Sequence, residues 1–307
     1  MLAPFADNGA APMKRQDILA RPPQALTQAQ REHYFQHGYT SAEALVDQHW
    51  LARLNKVTDE FVELSRTVTP GDDARFDLEA DHTAHAPRVR RLNAPVEVHE
   101  TYWEFASRGP FAAIAEDLLG PDVKFHHSKL NFKWSGGGEE VKWHQDIQFW
   151  PHTNYDVLTI GVYLSDVDAD MAPMGVLPGS HEGPLYDLYR EDGQWSGNLR
   201  AEDVAALDLK SAAYLAGAAG TITVHNCRAI HGSPSNASTR PRPLLLCAYA
   251  AADAIPITNL TTRARRSETV IRGRPARWAR FDPRPCLLPP DWSGGYKSIY
   301  AYQQDEG

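Results

Sequence analysis

The stretch Val141-Lys-Trp-His-Gln-Asp-Ile-Gln-Phe-Trp150 carries His144 and Asp146 two residues apart. On an extended strand alternate side chains leave one face, so this imidazole and this carboxylate point together while Trp143 and Gln145 point away. Together they supply two corners of a metal site. The third corner should be another histidine, and His231 in Ala229-Ile-His-Gly-Ser233 is the best candidate, with His225 as its competitor. His231 is followed by Gly232-Ser233-Pro234, which places it at a strand end where the backbone turns. His225 lies deeper in its strand and reads as a core or supporting histidine. Two histidines and one carboxylate on one side of a metal, with the other positions open, is the ligand set of non-haem Fe(II) oxygenases. An isolated pair of this spacing is equally a hydrogen-bonded pair on a polar strand face, so the surrounding elements have to decide.

Those elements change period along the chain. Residues 1–25 are rich in Ala, Pro and polar groups and read as a loose arm. Thr27 and Gln30 fit a capping box that opens a helix, and Gly38 can close it. Leu51, Leu54, Val57, Phe61 and Leu64 share one stripe at helical spacing. The acidic stretch 69–85 reads as a loop, and a further helix runs from Pro110 through Leu119 to Gly120-Pro121. Beyond it the pattern is that of strands: 123–134, 141–150, 157–165, 220–225 and 243–249, separated by Gly/Pro turns and a polar, helical insert near 185–215. Helices first and many strands afterwards indicate an α+β, mainly β fold: a jelly roll, or double-stranded β-helix of the cupin kind, with N-terminal helices packed on one sheet. The expected organisation is one domain over 26–307, with a helical part 26–120, a jelly-roll core 121–255 and a C-terminal wrapping segment 256–307.

Such a barrel brings distant strands side by side and shelters a reactive metal from water. Arg240 and Arg242 lead into the apolar strand at 243–249. A guanidinium projecting into an apolar barrel needs a carboxylate, best a planar bidentate one, which a cosubstrate such as 2-oxoglutarate provides. Arg240 reads as a surface residue. His127, Lys129 and Asn131 alternate on one face of the strand at 123–134, a row of donors suited to an anion or, equally, to a solvated edge. His126, His152 and His33 have no partner that the sequence names. Phe149, Trp150, Tyr155 and Tyr163 cluster around the metal strand; most aromatics on strands become core, and Trp150 alone is taken as a substrate contact.

The formal net charge of −8 argues against nucleic acid as the main partner. No apolar run reaches membrane-spanning length, and the start carries no basic-then-apolar leader pattern. Three cysteines, Cys227, Cys247 and Cys286, lack metal or redox spacing, so a reducing cytoplasm and buried thiols are expected. Eight arginines between 263 and 284 could bind an anionic tail, but a solvated face is the preferred reading.

The residues His144-Gln-Asp146, Leu177-Pro-Gly-Ser-His181, His231-Gly-Ser233, Asn236, Ser238 and Arg242 together resemble the phytanoyl-CoA dioxygenase family. Ser128-Lys-Leu-Asn-Phe-Lys133, its distance to Trp143-His144, and Trp150 are also similar to ectoine hydroxylase, a member of that family. The resemblance spans roughly residues 27–250. It implies a double-stranded β-helix, iron ligands at His144, Asp146 and His231, and Arg242 on the distal carboxylate of 2-oxoglutarate, assisted by Ser233, Lys129 and Asn131. It also implies O2-dependent hydroxylation of a small organic molecule with release of succinate and CO2. The residues after Trp150 (Pro151-His-Thr-Asn-Tyr155) leave the ectoine hydroxylase pattern, so ectoine itself is not implied. Retention of Asp146 favours hydroxylation over halogenation. The alternatives are a non-catalytic jelly-roll binding protein with a vestigial metal site and a cupin-like hydrolase or isomerase using another divalent metal. A monomer or homodimer is expected, with no membrane partner.

Overall fold

Alternation along four long strands sorts the centre of the molecule into an apolar face and a polar one. The structure is a computed structural model and describes residues 13–136, 139–259, 264–296 and 298–304. Its helices are α1 (Arg15–Leu19), α2 (Gln28–His37), α3 (Gln48–Ser65), α4 (Pro95–Val98), α5 (Glu100–Arg108), α6 (Pro110–Leu119), α7 (Ala201–Ala206) and α8 (Ile299–Gln304). Its strands are β1 (Tyr39–Ala42), β2 (Phe76–Leu78), β3 (Val89–Asn93), β4 (Val123–Asn131), β5 (Val141–His144) and β6 (Val157–Tyr163), then β7 (Met174–Val176), β8 (Ala213–Leu215), β9 (Ile222–Asn226), β10 (His231–Ser233), β11 (Leu244–Ala251) and β12 (Val270–Arg272). The major sheet runs β1-β9-β6-β11-β4-β3-β2 with β12 added beside β4, and the minor sheet runs β5-β10-β7-β8. Neighbours are antiparallel throughout. This is the jelly-roll arrangement expected from the sequence.

The helices cover the outer face of the major sheet. Leu158, Ile160 and Val162 of β6 and Leu245, Cys247 and Tyr249 of β11 enter one core with Leu51, Leu54, Val57 and Phe61 of α3, Phe105 of α5 and Phe111 and Ile114 of α6. Burial of this apolar surface is the main stabilising term, so Leu54, fully buried, would cost about 2–5 kcal/mol on replacement by alanine. The expected stripe on α3 stops one turn early, because Leu64 is 41% exposed. The capping box of α2 forms as read, with Gln30 N donating to Thr27 Oγ1 and Thr27 N to Gln30 Oε1. Gly38 ends the helix at φ 80°, where a Cβ would meet the His181 ring at 2.5 Å.

Three expectations change. Residues 13–25, read as part of a loose arm, instead hold α1 and dock on α6, where the Asp117 carboxylate accepts from the backbone N–H groups of Gln24, Ala25 and Leu26; residues 1–12 lie outside the described residues. Stretch 69–85 contains β2, which closes the sheet edge. The C-terminal arginines are a solvated face only in part: Arg265, Arg274, Arg277 and Arg284 are exposed, whereas Arg266 pairs with Glu100, Arg272 with Glu116, and Arg280 with Asp156 and Asp253, stapling the wrapping segment to the barrel. Arg263 lies outside the described residues.

Candidate metal centre

The inner face of the major sheet carries Thr159, Gly161 and Tyr163, and the minor sheet faces it. His144 ends β5 and lies directly across from His231, the first residue of β10. Cross-strand partners approach closely, and the two rings sit 4.2 Å apart between centroids. Each ring uses Nδ1 on a carbonyl two residues back: His144 on Lys142 O at 2.8 Å and His231 on Ala229 O at 2.9 Å. That bond makes Nδ1 the protonated nitrogen and leaves the Nε2 lone pair for a cation.

Asp146 is not on the strand. The chain leaves β5 at Gln145, whose side chain is tied to Pro184 O and Arg228 O, and enters a 3-10 turn over Asp146–Gln148. The expectation of one strand through 150 therefore fails, although the turn still delivers the carboxylate to the imidazoles. Asp146 Oδ1 lies 3.6 Å from His144 Nε2 and 3.8 Å from His231 Nε2. One ligand atom from each of the three residues falls within 4.8 Å of the others, all of them buried. The second carboxylate oxygen is held separately: Oδ2 accepts from Thr159 Oγ1 at 3.0 Å and contacts His225 Nε2 at 3.3 Å. His225 thus touches the carboxylate oxygen that faces away from the other two imidazoles.

Electrostatics favour the ligand forms. Burial pushes Asp146 toward the neutral acid, but the Lys129 ammonium, with His231, His144 and His225 around the carboxylate, outweighs it and holds the carboxyl well below its ordinary range. Burial depresses His231 far below the usual imidazole value and lowers His225 as well, so both stay neutral. An imidazole must be neutral to ligate.

Two compartments open from this cluster. One is lined by His144, His225, His231, Lys129, Asn131 and Ser233, with Arg242 and Leu246 behind them. Arg242 is 3% exposed, and its Nε and Nη1 have no hydrogen-bond partner. A buried guanidinium with two unused donors is a receptor for a carboxylate, since leaving them unpaired is costly. The second compartment lies on the Asp146 side and is lined by His127, Ser128, Asn93, Phe149, Trp150 and Tyr296. Arg91, Lys129 and Ile299 line both.

The structure therefore gathers every site residue read from the sequence around one cluster. Ser233 lines the Arg242 compartment, and its carbonyl accepts from the buried Lys133 at 3.1 Å. Asn131 Oδ1 accepts from Arg91 Nε at 2.9 Å. Arg240 pairs with Asp168 at the surface, as expected. Arg91 was missed. It follows Arg90 in a short strand, and Arg90 pairs with Asp77 and Glu139 while Arg91 turns inward among aromatics, 5.4 Å from the Tyr300 ring. The usable signal was the burial of its strand between Val89 and Leu92. Tyr296 and Ile299 come from the wrapping segment, and no local pattern announces them.

A jelly roll with two histidines, one carboxylate and an unsatisfied buried arginine between its sheets defines a class of metal-dependent oxygenases. The sequence matches the phytanoyl-CoA dioxygenase family over residues 34–244, and the chain belongs to that family. It is 31% identical to a probable alpha-ketoglutarate-dependent hypophosphite dioxygenase of Stutzerimonas stutzeri, over 85% of this chain and 91% of that protein. It is 31% identical to L-proline trans-4-hydroxylase of Streptomyces griseoviridis, over 52% of this chain and 67% of that one. The crystal structure of EctD from S. alaskensis with bound Fe superposes with a TM-score of 0.67 at 21% identity, covering 83% of this chain and 90% of that one. The chain is a 2-oxoglutarate-dependent dioxygenase by these relationships.

Proposed function

We propose that this chain hydroxylates a C–H bond of a small organic anion, using Fe(II) held by His144, Asp146 and His231 and 2-oxoglutarate held by Arg242. The observation that carries the proposal is the pairing of the ligand cluster with the two unpartnered donors of buried Arg242, which lines one compartment with His144 and His231. When bound, iron and 2-oxoglutarate supply O2 activation coupled to decarboxylation, yielding succinate, CO2 and a hydroxylated product.

The chain's own residues do the positioning. Thr159 and His225 hold Asp146 Oδ2, which leaves Oδ1 aimed at the two Nε2 atoms. Arg242 fixes the far end of the cosubstrate, and Ser233 and Asn131 line its path. Lys129 balances the Asp146 charge and reaches both compartments. Trp150, Phe149 and Tyr296 wall the second compartment against water, and Arg91 supplies it with a cation that pairs with no carboxylate among the described residues. Replacing Arg91 by leucine should raise substrate KM by roughly 10- to 150-fold, the loss of a charged hydrogen bond worth about 1.5–3 kcal/mol.

A second reading is an inorganic oxoanion with a P–H bond. It is favoured by the name of the relative that shares 85% of this chain and by the cationic second compartment. Substrate-stimulated succinate release, measured with added Fe(II) across a panel of small carboxylates, amino acids and hypophosphite, separates the two. Iron-dependent 2-oxoglutarate binding with no turnover on any substrate would instead leave the vestigial binding protein. Free Cys227, Cys247 and Cys286 support a reducing cytoplasmic setting, and among the described residues no helix is long and apolar enough to cross a membrane. The shared core that runs from Leu26 to Ala251 supports one domain over 26–307, with 256–307 wrapped around it. Sedimentation or light scattering would distinguish a monomer from a homodimer, the two states expected.

A further inference from the structure

We propose that His126, His152 and Glu268 hold a second divalent cation of the zinc class, at a β-bulge behind the Trp150 wall. The first observation is the bulge. β4 pairs with β11 as Ala248 with His127 and then Tyr249 with Phe125, so His126 is an extra residue with no cross-strand partner. A bulge re-aims the side chain it inserts and breaks strict alternation. Here it lets His126 pack against His127, with Nδ1 to Nδ1 at 2.6 Å. His152 comes from the loop after Trp150, its ring 4.8 Å from that of His126. Glu268 comes from the turn before β12, and its backbone N–H donates to Phe125 O at 2.8 Å.

The second observation is what these side chains leave unused. His126 is 1% exposed and His152 4%, and the Nε2 of each has no partner. Glu268 Oε1 is likewise buried and unpartnered, while Oε2 takes the Lys124 ammonium. A nitrogen of each imidazole and a carboxylate oxygen lie within 4.8 Å of one another. His152 Nδ1 is spent on Trp150 O at 2.7 Å, so its Nε2 carries a lone pair. With the His126 proton on Nδ1, three buried acceptor atoms lie together without a donor among them, an unfavourable arrangement that a cation relieves. Two histidines and one glutamate, with a fourth position left for water, is a donor set that suits Zn(II).

The site would act on the pocket through a tautomer. A cation on His126 Nε2 leaves the ring proton on Nδ1, which then donates to His127 Nδ1. His127 must in turn carry its own proton on Nε2, on the opposite side of the ring. His127 lines the second compartment, so the cation would set a hydrogen-bond donor on its wall. It would also clamp the Trp150 loop to β4 and to the wrapping segment, since Trp150 packs against the rings of His126, His127 and His152.

The proposal is independent of the catalytic reading, and a metal count tests both. The metal-stripped chain is titrated with Co(II), with bound metal read by elemental analysis and visible absorption. The wild-type chain should take up two equivalents, and the His144→Ala/His231→Ala variant should take up one. Glu268→Gln, which preserves volume, should bind its first equivalent normally and its second at least tenfold more weakly. It stands in for His126→Ala/His152→Ala should that variant not fold. One equivalent in the wild type that disappears in His144→Ala/His231→Ala overturns the second site. One equivalent that survives there and is weakened by Glu268→Gln supports it and removes the catalytic assignment instead.

Discussion

Among the described residues there are two clusters of two imidazoles and one carboxylate, and they are built to different ends. In the first, His144 and His231 face each other across antiparallel strands, and Thr159 and His225 hold the distal oxygen of Asp146. In the second, the bulge, a loop and a turn each contribute one residue, and the spare glutamate oxygen goes to Lys124. Two compartments open from the first cluster, one lined by Arg242 and the other by Trp150 and Tyr296, with Arg91 shared between them. The second is closed behind Trp150. The same three side-chain types therefore serve chemistry where open compartments adjoin them, and bracing where they do not.

The sharpest break in that comparison is Asp146→Ala. It should reduce succinate release to background, whereas Glu268→Gln should leave turnover measurable; equal losses would erase the distinction. Next in size is Arg242→Leu, which strips the carboxylate receptor. Truncating one side of a buried charge pair costs about 2–5 kcal/mol, so the apparent affinity for 2-oxoglutarate should fall by roughly 30- to several-thousand-fold. Unchanged cosubstrate KM would move that site elsewhere. Thr159→Val removes one of the two contacts on Asp146 Oδ2 without touching a ligand and should lower iron affinity or kcat by about 10- to 100-fold. Equilibrium iron titration measures it.

The smallest effect expected is on stability against pH. Burial pushes His127 and His152 down to about 3 from the ordinary 6.5. Both stay neutral in the folded chain while the unfolded chain takes up protons below 6.5, so this part of the stability is complete above 6.5 and is lost as pH falls from there toward 3. The Tm of the metal-stripped chain should fall across that window, and His152→Leu should flatten the slope. A Tm independent of pH between 6.5 and 4 would contradict the buried, neutral state of both rings.

Local chemistry was legible in the sequence. The Thr27–Gln30 capping box, the α3 stripe through Phe61 and the alternation of β6 each depend on neighbours a few residues away. The ligands were legible because His144 and Asp146 lie close in the chain and His231 stands at a strand end before a Gly-Ser-Pro turn. Geometry set by a single residue was not. The bulge at His126 shifts one position of β4, and composition gives no sign of it, so His126 and His152 had no named partner although they face each other. Asp146 was placed on a strand because H-x-D alternates correctly there, while the tether on Gln145 that ends the strand comes from Pro184 and Arg228. Arg91 was hidden by its neighbour: two arginines in succession suggest solvent, and burial on one face only is decided by what packs there. Arg266, Arg272 and Arg280 of the wrapping segment find their carboxylates more than a hundred residues away, at Glu100, Glu116 and Asp156, beyond the reach of any local pattern.

Ile299, Arg91 and Lys129 form a party wall between the two compartments, and Ile299 belongs to a short helix whose Gln303 is tied to Lys142 N and Gly197 O. Reshaping that wall for a bulkier guest would disturb the cosubstrate chamber at the same moment. Changes of diet in this lineage should therefore be epistatic at those three positions and freer at Phe149, Trp150 and Tyr296, which border one chamber alone.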